Sequence, residues 1–216
     1  MNQKFLAAVL FAGVAIVASP KQASAATIAF TCLTNNSGTC SAFAGQIGGE
    51  VTVSGNQLTA VISNTSPGVI TDLYVDAPGT GMGYTFTGFI ENPDASVNFA
   101  TAGSPNDLPA GNNANPDFTA NFEFHAINPS PVNGAGTGEQ IGLTFMLAPA
   151  QLAQWSTALA DGSLRFGIHL QSLPGGQSES LISTPGGSTV VPEPATMLLL
   201  GTGLLAAARA RRRRSS

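Results

Sequence analysis

Apolar and polar residues alternate one by one along DFTANFEFHAI, residues 117–127, and this constrains the fold more than any other feature of the chain. Phe118, Ala120, Phe122, Phe124 and Ala126 fall on one face, and Asp117, Thr119, Asn121, Glu123 and His125 on the other. Only a strand sends successive side chains to opposite sides in this way. Leu164, Phe166, Ile168 and Leu170 alternate with an outward set of Arg165, His169 and Gln171. Residues 50–63 read as two strands joined by a turn at Ser54, Gly55 and Asn56, a hairpin signature. Segments 69–77, 83–90, 95–101 and 140–147 carry the same period. Strands with one polar face belong to antiparallel sheets. About eight to ten of them between residues 26 and 189 predict an all-β fold, an antiparallel β-sandwich with jelly-roll-like connections.

One stretch breaks that period. In PAQLAQWSTALADG, Leu152, Trp155 and Leu159 stand at helical spacing, Pro149 suits a first turn and Gly162 suits the stop. The pattern predicts one short amphipathic helix with Trp155 packed on the sheet. A Trp that stacks on sugar is the functional alternative.

Charge divides the chain into three parts. Lys4 and Lys21 lie near the start, and Arg209, Arg211, Arg212, Arg213 and Arg214 at the end. Between Ala26 and Val190, Arg165 stands alone against eleven acids, a formal charge of −10 for that stretch. Such a surface repels phosphate backbones, which argues against nucleic acid as a partner. Cations and polar polymers stay open.

Residues 1–25 read as a signal peptide. Lys4 is followed by fourteen uncharged residues, Phe5 to Ala18, and by Ala-Ser-Ala at 23–25. That small-x-small pattern places cleavage between Ala25 and Ala26. Export makes Cys32 and Cys40 a plausible disulfide around a polar loop. Two sulfurs with no nearby His make a poor zinc site.

At the other end stands VVPEPATMLLLGTGLLAAARARRRRSS. Residues 195–208 are uncharged and would span about 21 Å as a helix. The hydrocarbon core of a bilayer is about 30 Å thick, so the fit is short. Arginines can snorkel to the headgroups, and the basic block at 209–214 marks the cytoplasmic side. Pro192 and Pro194 stop any helix ahead of the span and hold Glu193 in extended chain.

Pro192, Glu193 and Pro194, followed by a Leu- and Gly-rich run and the arginine block, resemble the PEP-CTERM sorting domain of Gram-negative bacteria. The same segment is also called an ice-binding protein C-terminal domain, a label that concerns the tail and not ice. The resemblance covers residues 190–214. It implies an exosortase, a polytopic transpeptidase-like membrane enzyme, as partner. It also implies transient anchoring through the tail helix, then delivery to the cell surface or extracellular matrix. The chemistry would belong to the processing enzyme. The chain is thus expected to comprise a signal peptide at 1–25, a passenger at 26–189 and a sorting segment at 190–216. The run from Leu164 to Ser180 also resembles secreted passengers that accompany such tails, a group that carries no activity over to this chain.

Within the passenger, no catalytic constellation stands out. His125 and His169 are read as surface side chains on polar strand faces. No G-x-S-x-G elbow, P-loop or dinucleotide fingerprint occurs, and Ala26–Val190 lacks lysine. The loop at 102–119 gathers Asp107, Asn113, Asn115 and Asp117, oxygen donors that suit Ca²⁺ but lack the Gly and distant Glu of an EF-hand. No cofactor is expected otherwise. The expected role is non-catalytic, at the surface or in the matrix. The alternatives are an exopolysaccharide-binding module using Trp155, Tyr74 and Tyr84, or a secreted hydrolase. Ice binding would need a flat Thr-x-Thr face, and only scattered pairs such as Thr85 and Thr87 are legible.

Overall fold

The computed structural model describes residues 24–79, 81–91, 97–184 and 191–192. The signal segment and the tail from Glu193 onward, with its expected helix and arginines, lie outside the described residues. Antiparallel strands dominate. They are β1 (Ser24–Cys32), β2 (Ile47–Ser54), β3 (Gln57–Asn64), β4 (Val69–Asp76), β5 (Tyr84–Glu91) and β6 (Phe99–Thr101). β7 (Phe122–Ala126), β8 (Glu139–Leu147), β9 (Arg165–Leu173), β10 (Gln177–Ser183) and β11 (Val191–Pro192) follow. Two α-helices interrupt them among the described residues, α1 (Cys40–Ala44) and α2 (Pro149–Asp161), with a short 3-10 helix at Gly111–Asn113.

The strands form one sheet in the order β5-β8-β3-β2-β1-β10-β9-β4-β7-β6, with β11 added on β1. β1 is the corner. Its residues Ser24–Ala29 pair with β2, and Phe30–Cys32 pair with β10. Side chains Ala26, Ile28 and Phe30 stay buried through that change of partner. The sheet curls until its ends face each other, so the molecule is nearly barrel-shaped. Phe86 on β5 lies 4.6 Å from Phe124 on β7, and Phe89 lies 6.4 Å from Phe99 on β6, ring centre to ring centre.

Local chemistry explains the elements. Gly55, at φ 65, lets a two-residue turn close β2 on β3, with Ser54 opposite Gln57. α2 starts with Pro149 in its first turn and ends at Gly162 in the left-handed conformation. Trp155, Ala158 and Leu159 are its buried face, which makes Trp155 a core residue. The chain crosses from β3 to β4 through buried Asn64, whose amide donates to Gly68 O at 2.8 Å and Ala135 O at 2.9 Å.

Two expectations need correction: the outward place of Arg165, and the single face expected for Phe118, Ala120, Phe122, Phe124 and Ala126, because Phe118 and Ala120 precede β7 and join a second cluster, while Phe124 and Ala126 lie in the main core and Phe122 packs against it. Arg165 does not point to solvent but is 5 % exposed. The outer face of β4, β9 and β10 carries a second apolar cluster of Tyr74, Leu108, Phe118, Ala120 and Ile182. The Asn- and Pro-rich loop therefore lies over this face as a lid of chain. Gly167 makes room for it, since a Cβ there would stand 2.8 Å from Leu108 Cδ2 and 3.1 Å from Phe118 Cζ.

Candidate functional site

Arg165 fastens the loop. Its guanidinium forms an ion pair with Asp76 and donates to the carbonyls of Pro116 and Asp117, each at 2.6 Å. It also lies 5.3 Å from the centre of the Phe118 ring. Farther along, Asn106 donates to Glu123 through both its backbone N–H and its side-chain amide. Of the four Ca²⁺ candidates, Asp107 and Asp117 share one cleft of about 350 Å³ with Asn112 and Phe118. Asn113 instead reaches toward Leu33 O at 3.4 Å, and Asn115 precedes a cis proline. Among the described residues no group of three His, Cys, Asp or Glu could hold a metal ion.

Both histidines face outward as the alternation requires, half-buried. They do not meet. β4 runs between their strands and places Asp72 opposite His125 on one side and His169 on the other. Ser180 on β10 lies opposite His169, its Oγ 3.4 Å from Nδ1. A row of Ser180, His169, Asp72 and His125 thus crosses four strands. Burial pushes the Asp72 carboxyl above the usual range, although the Thr71 hydroxyl and His169 pull the other way. Burial likewise lowers His169, against the pull of Asp72. Ser180 is only 1 % exposed, which denies a substrate access to its hydroxyl.

The sugar-stacking candidates fare similarly. Trp155, Tyr74 and Tyr84 are all buried, so none offers a ring to a glycan. Burial, followed by the charges of Asp72 and Glu123, drives the Tyr74 phenol far up, and burial pushes Tyr84 up to about 12.

Cys32 and Cys40 are bonded, S–S 2.05 Å, and close the loop that joins β1 to α1. Glu179, fully buried on β10, organises this loop by accepting from Thr34 Oγ1 and from the Ser37 N–H at 2.6 Å. Burial alone would raise Glu179, but the bonds from Thr34 and Ser37 outweigh it and hold the carboxyl below its ordinary 4.5. A depressed carboxyl stabilises the fold in full above 4.5, and that contribution is lost as the pH falls through the lower folded value. Glu179→Gln is therefore expected to be less stable than the natural chain at neutral pH, with the gap closing in acid. Urea midpoints of both proteins between pH 7 and pH 3 check this, and a gap independent of pH would count against it.

Two segments from opposite ends of the described chain meet on β1. β11 pairs with it antiparallel, Ser24 opposite Pro192 and Ala25 opposite Val191. Pro192, the first residue of the Pro-Glu-Pro motif, thus sits beside the expected signal cleavage site at Ala25 and Ala26. No helix of the described residues is long and apolar enough to cross a membrane, and the run at 195–208 lies outside them.

These features define a class: an acidic, mostly antiparallel β chain that carries a linear Pro-Glu-Pro motif toward its C-terminal end. The family model of the PEP-CTERM protein-sorting motif matches residues 190–214. That tail implies exosortase processing, with export and sorting to the cell surface. No curated protein and no solved structure matches the chain.

Proposed function

We propose that this chain is an exported, non-catalytic protein of the cell surface or extracellular matrix, and the substrate of an exosortase-type membrane enzyme. The match at residues 190–214 carries the reading. Pro192, Glu193 and Pro194 are the recognised stretch, the run at 195–208 holds the chain in the membrane, and Arg209 with Arg211 to Arg214 stops its transfer. Residues 1–25 would bring the chain to the membrane and be removed after Ala25. The scaffold itself we read as an antiparallel β-sandwich with jelly-roll-like connections; the ring contacts between β5 and β7 support two facing layers. Buried Ser180 and the buried aromatic rings support a passenger without hydrolase or sugar-stacking chemistry.

Intact-mass analysis of surface-released protein tests this. The natural chain is expected outside the cell with a new C-terminus between Val191 and Ala195. A Pro192→Ala, Glu193→Ala, Pro194→Ala variant is expected to stay membrane-bound and to end at Ser216. Natural chain found on the surface still ending at Ser216 would refute processing.

A further inference from the structure

We propose that the outer face of β2, β3, β8 and β5 is a contact surface on which a second copy of this chain packs, face to face. The face is open. Its outward side chains are half-buried or exposed, whereas the outer face of β4, β9 and β10 is closed by the loop at 102–121. Among the described residues, a Cβ at Gly48 would meet nothing within 4 Å, and one at Gly88 only Thr144 Oγ1 at 3.7 Å.

Register gives this face an apolar centre. Val61 stands opposite Gly142, and Gly142 opposite Ile90, in one row across β3, β8 and β5. A Cβ on Gly142 would lie 2.9 Å from Ile90 Cβ and 3.3 Å from Val61 Cγ2, so the glycine lets both side chains close over it. Ile90 is nevertheless 39 % exposed, and neither it, Val61 nor Met146 belongs to either apolar cluster. The next row sets Thr52 opposite Thr59 and Thr59 opposite Thr144. The Thr87 hydroxyl donates to Thr144 O at 3.1 Å and to its Oγ1 at 3.0 Å, and the Thr144 hydroxyl donates to Gly88 O at 2.8 Å. Both hydroxyl protons are used within the sheet, which removes two donors that a glycan would need.

Charge selects the occupant. Contact between identical faces doubles every charge on them, so a chain with −10 between Ala26 and Val190 pairs with itself only where charge is sparse. Glu50 is the one charged residue among the outward positions of these four strands that the structure describes. A charged partner therefore finds almost nothing to pair with here. A two-fold axis along β8 sets Ile90 of each copy against Val61 of the other and leaves β2 at the two margins. Each β2 then lies two strand spacings from the axis, so the two Glu50 side chains stand about 19 Å apart, beyond the screening length of about 8 Å. Four strands of about eight residues present about 19 by 26 Å, or about 500 Å² per copy. The total of about 1,000 Å² is at the lower limit of a specific interface, which makes this a weak pair that forms where the chain is crowded.

Crosslinking of the full-length chain in detergent tests this, whether or not the tail is processed. With the axis along β8, Met146 and Gln140 each face the same residue of the second copy. Met146→Cys and Gln140→Cys are therefore each expected to give a disulfide-linked dimer when a mild oxidant is added to concentrated protein. Gln171→Cys, on the outer face of β9, is expected to stay monomeric, and the natural Cys32–Cys40 pair is already bonded. Adding Ile90→Asp or Thr85→Asp to the Met146→Cys chain is expected to lower the dimer yield about tenfold, because either places a carboxylate in the contact. Thr85 is exposed, so its replacement leaves the fold intact. Equal dimer from Gln171→Cys would overturn the proposal, since it reports association through the micelle. Dimer untouched by both aspartates would overturn it too. So would β8 thiols that react with maleimide yet stay monomeric, which means an open face without a second copy. Thiols that neither react nor crosslink would mean a face taken by another part of the chain, and the proposal would fall.

Discussion

Replacing Arg165 with alanine is expected to cost about 3–5 kcal/mol, because it leaves the Asp76 carboxylate without its partner in a largely buried place. Arg165 also holds the carbonyls of Pro116 and Asp117, so the truncation releases that stretch of the loop as well. No other cation lies between Ala26 and Val190 to take over. Arg165→Lys keeps the charge but not the planar fork that reaches Asp76 and two carbonyls together, and it should recover only part of the loss. An Arg165→Met, Asp76→Leu pair removes both charges and should be milder than the alanine variant. Urea unfolding measures the cost. Limited proteolysis shows where it falls: cuts are expected within residues 102–121 before the sheet opens. A cost under about 1 kcal/mol, the scale of an exposed ion pair, would show that the guanidinium is solvated after all.

The sequence makes legible what is local and one-sided. The hairpin of β2 and β3 is readable because one face is wet and Gly55 marks its turn. α2 is readable because proline and glycine bracket it. The sorting motif is readable because it is linear and needs no fold to be recognised. Features that depend on distant chain are not readable. Arg165 occupies an outward position in the alternation, and only the loop laid across β9 from more than forty residues upstream buries it. β10 shows no clean alternation because both its faces are covered, one by the core and one by the disulfide loop and its neighbours. β1 does alternate, yet its role as the corner of the sheet depends on pairing with β2 and β10. The histidine row likewise depends on β4 lying between β7 and β9. Each histidine is placed correctly by its own strand, and nothing in either strand names Asp72 as the neighbour they share.

The second large effect is expected where the sheet closes. β5 and β6 are the two ends of the strand order, and among the described residues no strand pairing joins the two ends. Aromatic rings do so instead. Phe124 lies 4.6 Å from Phe86, 5.6 Å from Phe89 and 6.2 Å from Phe145, in tilted or edge-on geometries. Phe122 adds a contact to Phe145 at 5.2 Å. Rings at these separations attract beyond their simple burial, and their stiffness fixes the distance between the facing strands. Phe124→Ala is expected to cost about 3–5 kcal/mol, from lost burial and the void left among its neighbours. Phe166→Ala removes an equally buried ring with a similar expected cost. The two should differ in where the molecule loosens. Without Phe124, amides of β5 and β6 should exchange through local opening, well before global unfolding, because the missing ring tied those ends together. Without Phe166, the same amides should keep exchanging with the rest of the sheet. Hydrogen exchange on both variants decides the matter: unchanged relative protection of β5 and β6 in Phe124→Ala would mean that the barrel stays shut for a reason other than its phenylalanines.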